Sequence, residues 1–305
     1  MEIRVLRYFL TVVREESITR AAEVLHITQP TLSRQMAQME EQMGVKLFER
    51  GTRRISLTNE GVLLRRRAEE IIELVDKTER ELTEQDGQVE GVVAIGCGDL
   101  KSVQKLAELI RTFHEKYPLV TFDLYTATAD YIKYRMDHGL TDIGLLLEPV
   151  DLGKYDFIRI ESEERCVVAM HPDAPLAEKE FITPEDLVGV PLIMPGRLSV
   201  RGEIANWFGD YYDQLQIMFT SNLPANSAVM VNNRLAYSLL ICGSIDYWDQ
   251  TKVTYRPLKP ELNAACVLAW KRQQPFGAAA ERFIDHMKKS LMSERHIGRS
   301  TNRRI

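Results

Sequence analysis

The sequence predicts a multidomain α plus α/β protein, helical in its N-terminal segment and α/β from Val89 onward. Three observations predict it. Apolar residues recur at helical spacing in short runs before Gly44. A long, highly charged helical pattern with one narrow apolar stripe begins after Thr58. Short strand-like runs then alternate with helical ones, as in a parallel sheet with helices on its faces.

The totals bound what such a chain can be. At 305 residues it has room for two or three domains with sizeable cores. Hydrophobic residues at 45% and charged residues at 27% are ordinary for a globular protein. A net charge of −5 excludes a general nucleic-acid sponge, so any DNA contact must use locally concentrated positive charge. Cys97, Cys166, Cys242 and Cys266 lie far apart without a C-x-x-C pair, which argues against a zinc site and suits reduced thiols. The first residues carry Arg4 and Arg7 and no cleavage site, so no signal peptide is expected. No apolar run is long enough to span a bilayer, and a cytoplasmic location is expected.

Residues 1–58 read as three helices and a wing. Ile3, Leu6, Phe9, Leu10 and Val13 form the expected apolar face of the first helix. Ser17 is placed to N-cap a second helix whose Ala21 and Ala22 permit close crossing. After the turn at His26-Ile27, Thr28 stands at the N-cap of a third helix with Pro30 in its first turn. Leu32, Met36, Met39 and Met43 make its apolar stripe, and Gly44 ends it. The other face opens with Gln29, Thr31, Ser33, Arg34 and Gln35. In a helix-turn-helix such a face reads base edges. Arg suits guanine, Gln suits adenine, and hydroxyls suit phosphates or bases. A plain solvated face is the alternative. Leu47, Ile55 and Leu57 anchor a hairpin with Gly51 at its tip, carrying Arg50, Arg53 and Arg54. Such arginines either enter a narrow minor groove or belong to an ordinary charged hairpin.

The stretch from Ser17 to Gln35, with Leu47-Phe48-Glu49-Arg50 and Leu57-Thr58-Asn59-Glu60-Gly61, resembles the signature of LysR-type transcriptional regulators. The resemblance implies that Gln29, Pro30, Ser33 and Arg34 face the major groove and that Arg53 or Arg54 reaches the minor groove. With the reading above, the candidate DNA-binding set is Thr28, Gln29, Pro30, Thr31, Ser33, Arg34, Arg50, Arg53 and Arg54.

Residues 59–88 read as a linker helix. Leu64, Ala68, Ile71, Val75, Thr78 and Leu82 alternate four- and three-residue steps, a coiled-coil seam among charged faces. Thr78 and Ala68 weaken it. The seam meets either its own domain or a partner helix, and dimerisation through Leu64, Ala68, Ile71, Val75 and Leu82 is the expectation. The resemblance implies antiparallel pairing of linker helices and a dimer or a dimer of dimers.

Residues 89–294 read as the α/β domain. Strands are expected at 91–97, 120–125 and 143–147, helices at 103–116 and 132–138, and a last helix at 277–291. The resemblance implies two lobes of periplasmic-binding-protein type, lobe I at 89–161 and 268–294 and lobe II at 162–267, with a cleft for a small-molecule effector. Open parallel sheets bind ligands at strand carboxyl ends, beside helix N-termini. The candidates there are Asp99, Leu100, Lys101, Ser102, Thr126, Thr128, Leu147, Arg197, Ser199 and Asn222. Lys101 and Ser102 favour an anion, Arg197 could clamp a carboxylate, and Asp99 favours an amine or hydroxyl. Each is otherwise an ordinary polar loop residue. Cys97 is a redox sensor or an idle buried thiol. The basic segment 295–305 is expected to be disordered, or to add a phosphate contact.

No nucleophile–base pair, metal-ligand spacing or complete dinucleotide motif occurs, so neither catalysis, metal nor cofactor is expected. The expected function is regulation of transcription by an effector-modulated, homo-oligomeric protein on double-stranded DNA, with RNA polymerase as a further partner. The alternatives are a DNA-binding regulator without an effector and an enzyme built on the α/β domain.

Overall fold

The computed structural model describes residues 2–50, 55–83 and 89–301. The chain divides into two compact units, Met1–Thr83 and Glu84–Ile305.

The first unit comprises α1 (Ile3–Glu15), α2 (Ile18–Val24), α3 (Gln29–Met43), the hairpin β1 (Phe48–Arg50) with β2 (Ile55–Leu57), and α4 (Asn59–Thr83). Its core joins Leu6, Phe9, Ala21, Ala22, Leu32, Met36 and Met39, all buried. The face of α1 is rotated from the expected one. Val5 and Val12 are buried with Leu6 and Phe9, whereas Leu10 and Val13 are only partly buried and Ile3 is exposed. Both stripes satisfy helical spacing. Packing against α2, α3 and α4 selects between them. Ser17 accepts a hydrogen bond from the Arg20 amide at 3.4 Å, as an N-cap should. His26 takes φ +54° in the tight turn before α3, and Gly44 ends α3 at φ +68°.

The seam of α4 needs correction in its first half. Ala68 is fully buried in the unit's own core, with Leu64 and Ile71 partly buried against it. Arg7 of α1 forms an ion pair with Asp76 of α4. The stripe therefore binds α4 to the helix-turn-helix, and α4 belongs to that unit instead of forming a separate linker domain. Val75 is half-buried, and the Leu82 side chain lies outside the described residues.

The second unit holds two lobes. In lobe I, β3 (Gly91–Cys97) lies between β4 (Val120–Thr126) and β5 (Ile143–Leu147), all parallel. Helices α5 (Val103–His114) and α6 (Ala129–Asp137) provide the crossovers. The long strand β6 (Tyr155–Met170) runs from one lobe into the other. In lobe II it pairs with β9 (Tyr237–Ile241), which lies beside β7 (Pro191–Pro195), and β8 (Gln216–Ser221) forms that edge. Helices α7 (Leu198–Phe208) and α8 (Pro224–Asn232) cover opposite faces, and β10 (Thr254–Pro257) pairs with β6. The chain returns through β11 (Asn263–Lys271), whose Cys266–Trp270 stretch pairs with β5. Cys266 and Val267 are thus lobe I residues, and the return crossing comes a few residues before the expected 267. A break in register between Ala264 and Cys266 marks it.

The final helix α9 (Ala278–Thr301) packs on lobe I through Phe283, Ile284, Met287 and Leu291. It continues past the expected end at 291 to Thr301. Residues 302–305 lie outside the described residues. Among the described residues no helix is long and apolar enough to cross a membrane.

Candidate functional site

The first site is the N-terminal end of α3. Its buried stripe turns the opposite side outward: Thr28, Gln29, Pro30, Thr31 and Arg34 are exposed and Ser33 is half-buried. Thr28 occupies the N-cap position with extended backbone, but its hydroxyl pairs with that of Thr31 at 2.8 Å instead of capping an amide. The first amides of α3 therefore remain available to an anion such as a phosphate.

Glu40 ties the wing to this helix. Its Oε1 accepts from the amides of Leu47 at 2.8 Å and Phe48 at 3.2 Å, and its Oε2 receives Lys46 Nζ at 2.7 Å. Burial opposes its ionisation, yet Lys46 and the two amides outweigh it and hold the carboxyl below its ordinary range. Thr58 closes the other end of the hairpin, donating to the Lys46 carbonyl at 2.7 Å and capping the Gly61 amide at 3.0 Å. Nothing in the spacing of the motif signalled the role of Glu40, since an acid on α3 reads as surface charge. Arg53 and Arg54 lie outside the described residues, as does the side chain of Arg50.

The second site is the cleft between the lobes of the C-terminal unit. Of the candidates, Asp99, Leu100, Thr128, Leu147, Arg197 and Asn222 line it. Lys101, Ser102, Thr126 and Ser199 do not. The start of α5 explains two of these corrections. Glu164, fully buried on β6, accepts from the Lys101 amide at 2.9 Å, the Ser102 amide at 2.7 Å and the Ser102 hydroxyl at 2.6 Å. An internal carboxylate thus fills the anion position that the sequence offered to a ligand. Thr126 and Ser199 are both exposed outside the cleft.

Arg197 is spent in a similar way. Its Nε and Nη2 meet the Asp130 carboxylate at 3.0 and 3.1 Å. Nη1 donates to the Leu147 carbonyl at 2.9 Å and Nη2 to that of Pro149 at 2.6 Å. Its side chain is only 8% exposed, so this fork binds the start of α7 in lobe II to lobe I. It is a strap across the cleft and not a free carboxylate clamp. Gly243, in the turn after β9, supplies another cross-lobe contact. A Cβ there would lie 2.3 Å from the Lys101 amide nitrogen and 2.5 Å from Leu100 Cα.

Glu148 and Ser227, which lie in the strand-end segments 147–148 and 222–227 that the sequence offered, also line the cleft, and sequence reasoning missed Glu203 and Ser238 there. Glu148 pairs with Arg159 at 2.9 Å. Glu203 stands within α7 and Ser238 within β9, so no loop signal marked them. Burial, with a smaller push from Asp99, raises the Cys97 thiol, which makes it a poor nucleophile. The Cys166 thiol is pushed up to about 12 by burial, then by Glu203 and Cys242. Among the described residues no group of side chains could hold a metal ion.

Known proteins share this sequence and architecture. Residues 3–62 match the family model for the bacterial regulatory helix-turn-helix protein, lysR family, and residues 86–292 that for the LysR substrate binding domain. The HTH-type transcriptional regulator BsdA of Bacillus subtilis (strain 168) is 30% identical, over 93% of this chain and 99% of its own. The Hca operon transcriptional activator HcaR of Escherichia coli (strain K12) is 28% identical over 89% and 92%. Full-length CbnR complexed with its target DNA superposes with a TM-score of 0.70 at 22% identity, covering 95% of this chain and 100% of that one. The chain belongs to the LysR family and is a DNA-binding transcription regulator with an effector-binding domain.

Proposed function

We propose that the exposed start of α3 enters the major groove, with Gln29 and Arg34 reading base edges and Thr28, Thr31 and Ser33 meeting phosphates or bases. Pro30 shapes the helix entry beside the backbone. Arg50, Arg53 and Arg54 of the wing extend the contact to the minor groove. The observation that carries this reading is the outward exposure of Gln29, Thr31 and Arg34 above a helix stripe that is buried. Arg34→Ala should lower the preference for operator over random DNA by about 1–3 kcal/mol. An unchanged ratio of the two affinities would remove Arg34 from base readout.

An effector in the cleft would act by favouring one arrangement of the lobes over another, and the Arg197 strap is the contact such a change must keep or break. Two copies paired through α4 would present two helix-turn-helix units to a two-fold site, as a dimer or a dimer of dimers. With Ala68 used within the chain, the pairing face is the one carrying Leu63 and Leu74, both exposed. They stand three turns apart on the same side of α4. Val75 and Leu82 would add to its distal part. Sedimentation of the Leu63→Asp, Leu74→Asp double variant should show monomers. An unchanged dimer would move the interface elsewhere. Promoters so bound would also bring the regulator to RNA polymerase.

A further inference from the structure

We propose that the effector of the cleft is a small organic cation, an amine or amidinium on an apolar body, and not an anion. The inference rests on reading the cleft as the effector site.

The cleft has no free positive charge among the described residues. Arg197 is the one basic side chain of its lining, and Asp130 and two carbonyls already engage its three nitrogens. The amides at the start of α5 are filled by Glu164. The start of α8 also borders the cleft, but Pro224 removes one amide donor there and no lysine joins it. A bound carboxylate would therefore lose its hydration without gaining an ionic partner.

Negative charge, by contrast, is present from both sides. Asp99 of lobe I and Glu203 of lobe II line the same space, and among the described residues neither makes a hydrogen bond or an ion pair. Burial pushes the Asp99 carboxyl above its ordinary range, the condition a nearby cation would relieve. Ser227 and Ser238 are 4% and 1% exposed, line the cleft, and make no side-chain hydrogen bond among the described residues. Buried hydroxyls without a partner mark places where a polar ligand atom belongs. Leu100, Ile193, Val200, Leu239 and Leu262 provide the apolar wall for the rest of the molecule.

The test uses the full-length protein and charge-reversed pairs of similar shape: benzylamine against benzoate and hexylamine against hexanoate. Thermal shift and calorimetry should show binding of the amine in a pair, with its acid at least about tenfold weaker. Asp99→Asn and Glu203→Gln should each weaken the amine by about tenfold or more, whereas Lys101→Ala, outside the cleft, should not. Amine binding that survives both carboxylate variants would overturn the assignment. Acids binding more tightly than amines, and lost when Ser238→Phe fills the cleft, would overturn the cation but keep the cleft as effector site. No shift from either class would overturn both readings.

Discussion

Two helices of this protein open in the same way and end up with opposite roles. Thr28-Gln29-Pro30-Thr31 starts α3, and Asp99-Leu100-Lys101-Ser102 leads into α5. Both place polar side chains beside amides that have no partner within the helix, and by local chemistry both invite an anion. At α3 no internal carboxylate among the described residues takes the amides, and the side chains face outward. At α5 the Glu164 carboxylate, distant in sequence, is buried against both amides and the Ser102 hydroxyl. A polar helix start is thus an offer, and tertiary structure decides whether the protein itself or a partner accepts it.

The largest expected effect is at the filled start. Glu164→Ala should destabilise the C-terminal unit by about 3 kcal/mol, because buried donors lose a charged acceptor. Trp207, Trp248 and Trp270 all lie in that unit, so their fluorescence during urea unfolding isolates it. Sulfate should restore part of the loss in this variant and little in the wild type, since it would occupy the vacated anion position. A variant as stable as the wild type would end the comparison.

Gly243→Ala sharpens the same point from the other lobe. Its Cβ would overlap backbone at Leu100 and Lys101, which cannot move aside as a side chain can. A loss of about 1–3 kcal/mol in the same urea experiment is expected.

A smaller effect depends on pH. Burial raises the Asp99 carboxyl, so the folded state binds a proton more readily than the unfolded chain. Stability then falls as pH rises from the ordinary value of 3.8 through the raised one. Asp99→Asn abolishes this loss. The variant should gain on the wild type at neutral pH, and the two melting temperatures should converge below about pH 4. Parallel curves across that range would contradict the raised carboxyl.

The smallest effect belongs to the open start. Arg34→Ala should change the stability of the helix-turn-helix unit by no more than about 0.5 kcal/mol, as for other exposed positions. A clear drop in its thermal transition would mean that the outward face also serves the fold, and the contrast with α5 would weaken.

Local signals were legible because they depend on neighbours in sequence. The Ser17 cap, the Leu32-Met36-Met39 stripe, the Gly44 stop and the strands of lobe I all follow from spacing and residue type. The rest required partners far along the chain. The α1 face and the α4 stripe had two consistent solutions, and Phe9, Ala68 and Ile71 chose theirs by meeting one another. Arg197 looked free until Asp130 and the end of β5 came within reach.

By itself the sequence determined the helices of the helix-turn-helix and the strands of lobe I, because hydrophobic period, capping and turn chemistry act over a few residues, and the motif from Ser17 to Gln35 carried the resemblance to the family. Only the tertiary structure decided which polar groups remain open to a ligand. Satisfaction of a buried donor or charge is settled by whichever group lands beside it, and for Ser102 and Arg197 that group is Glu164 or Asp130, brought there by the fold.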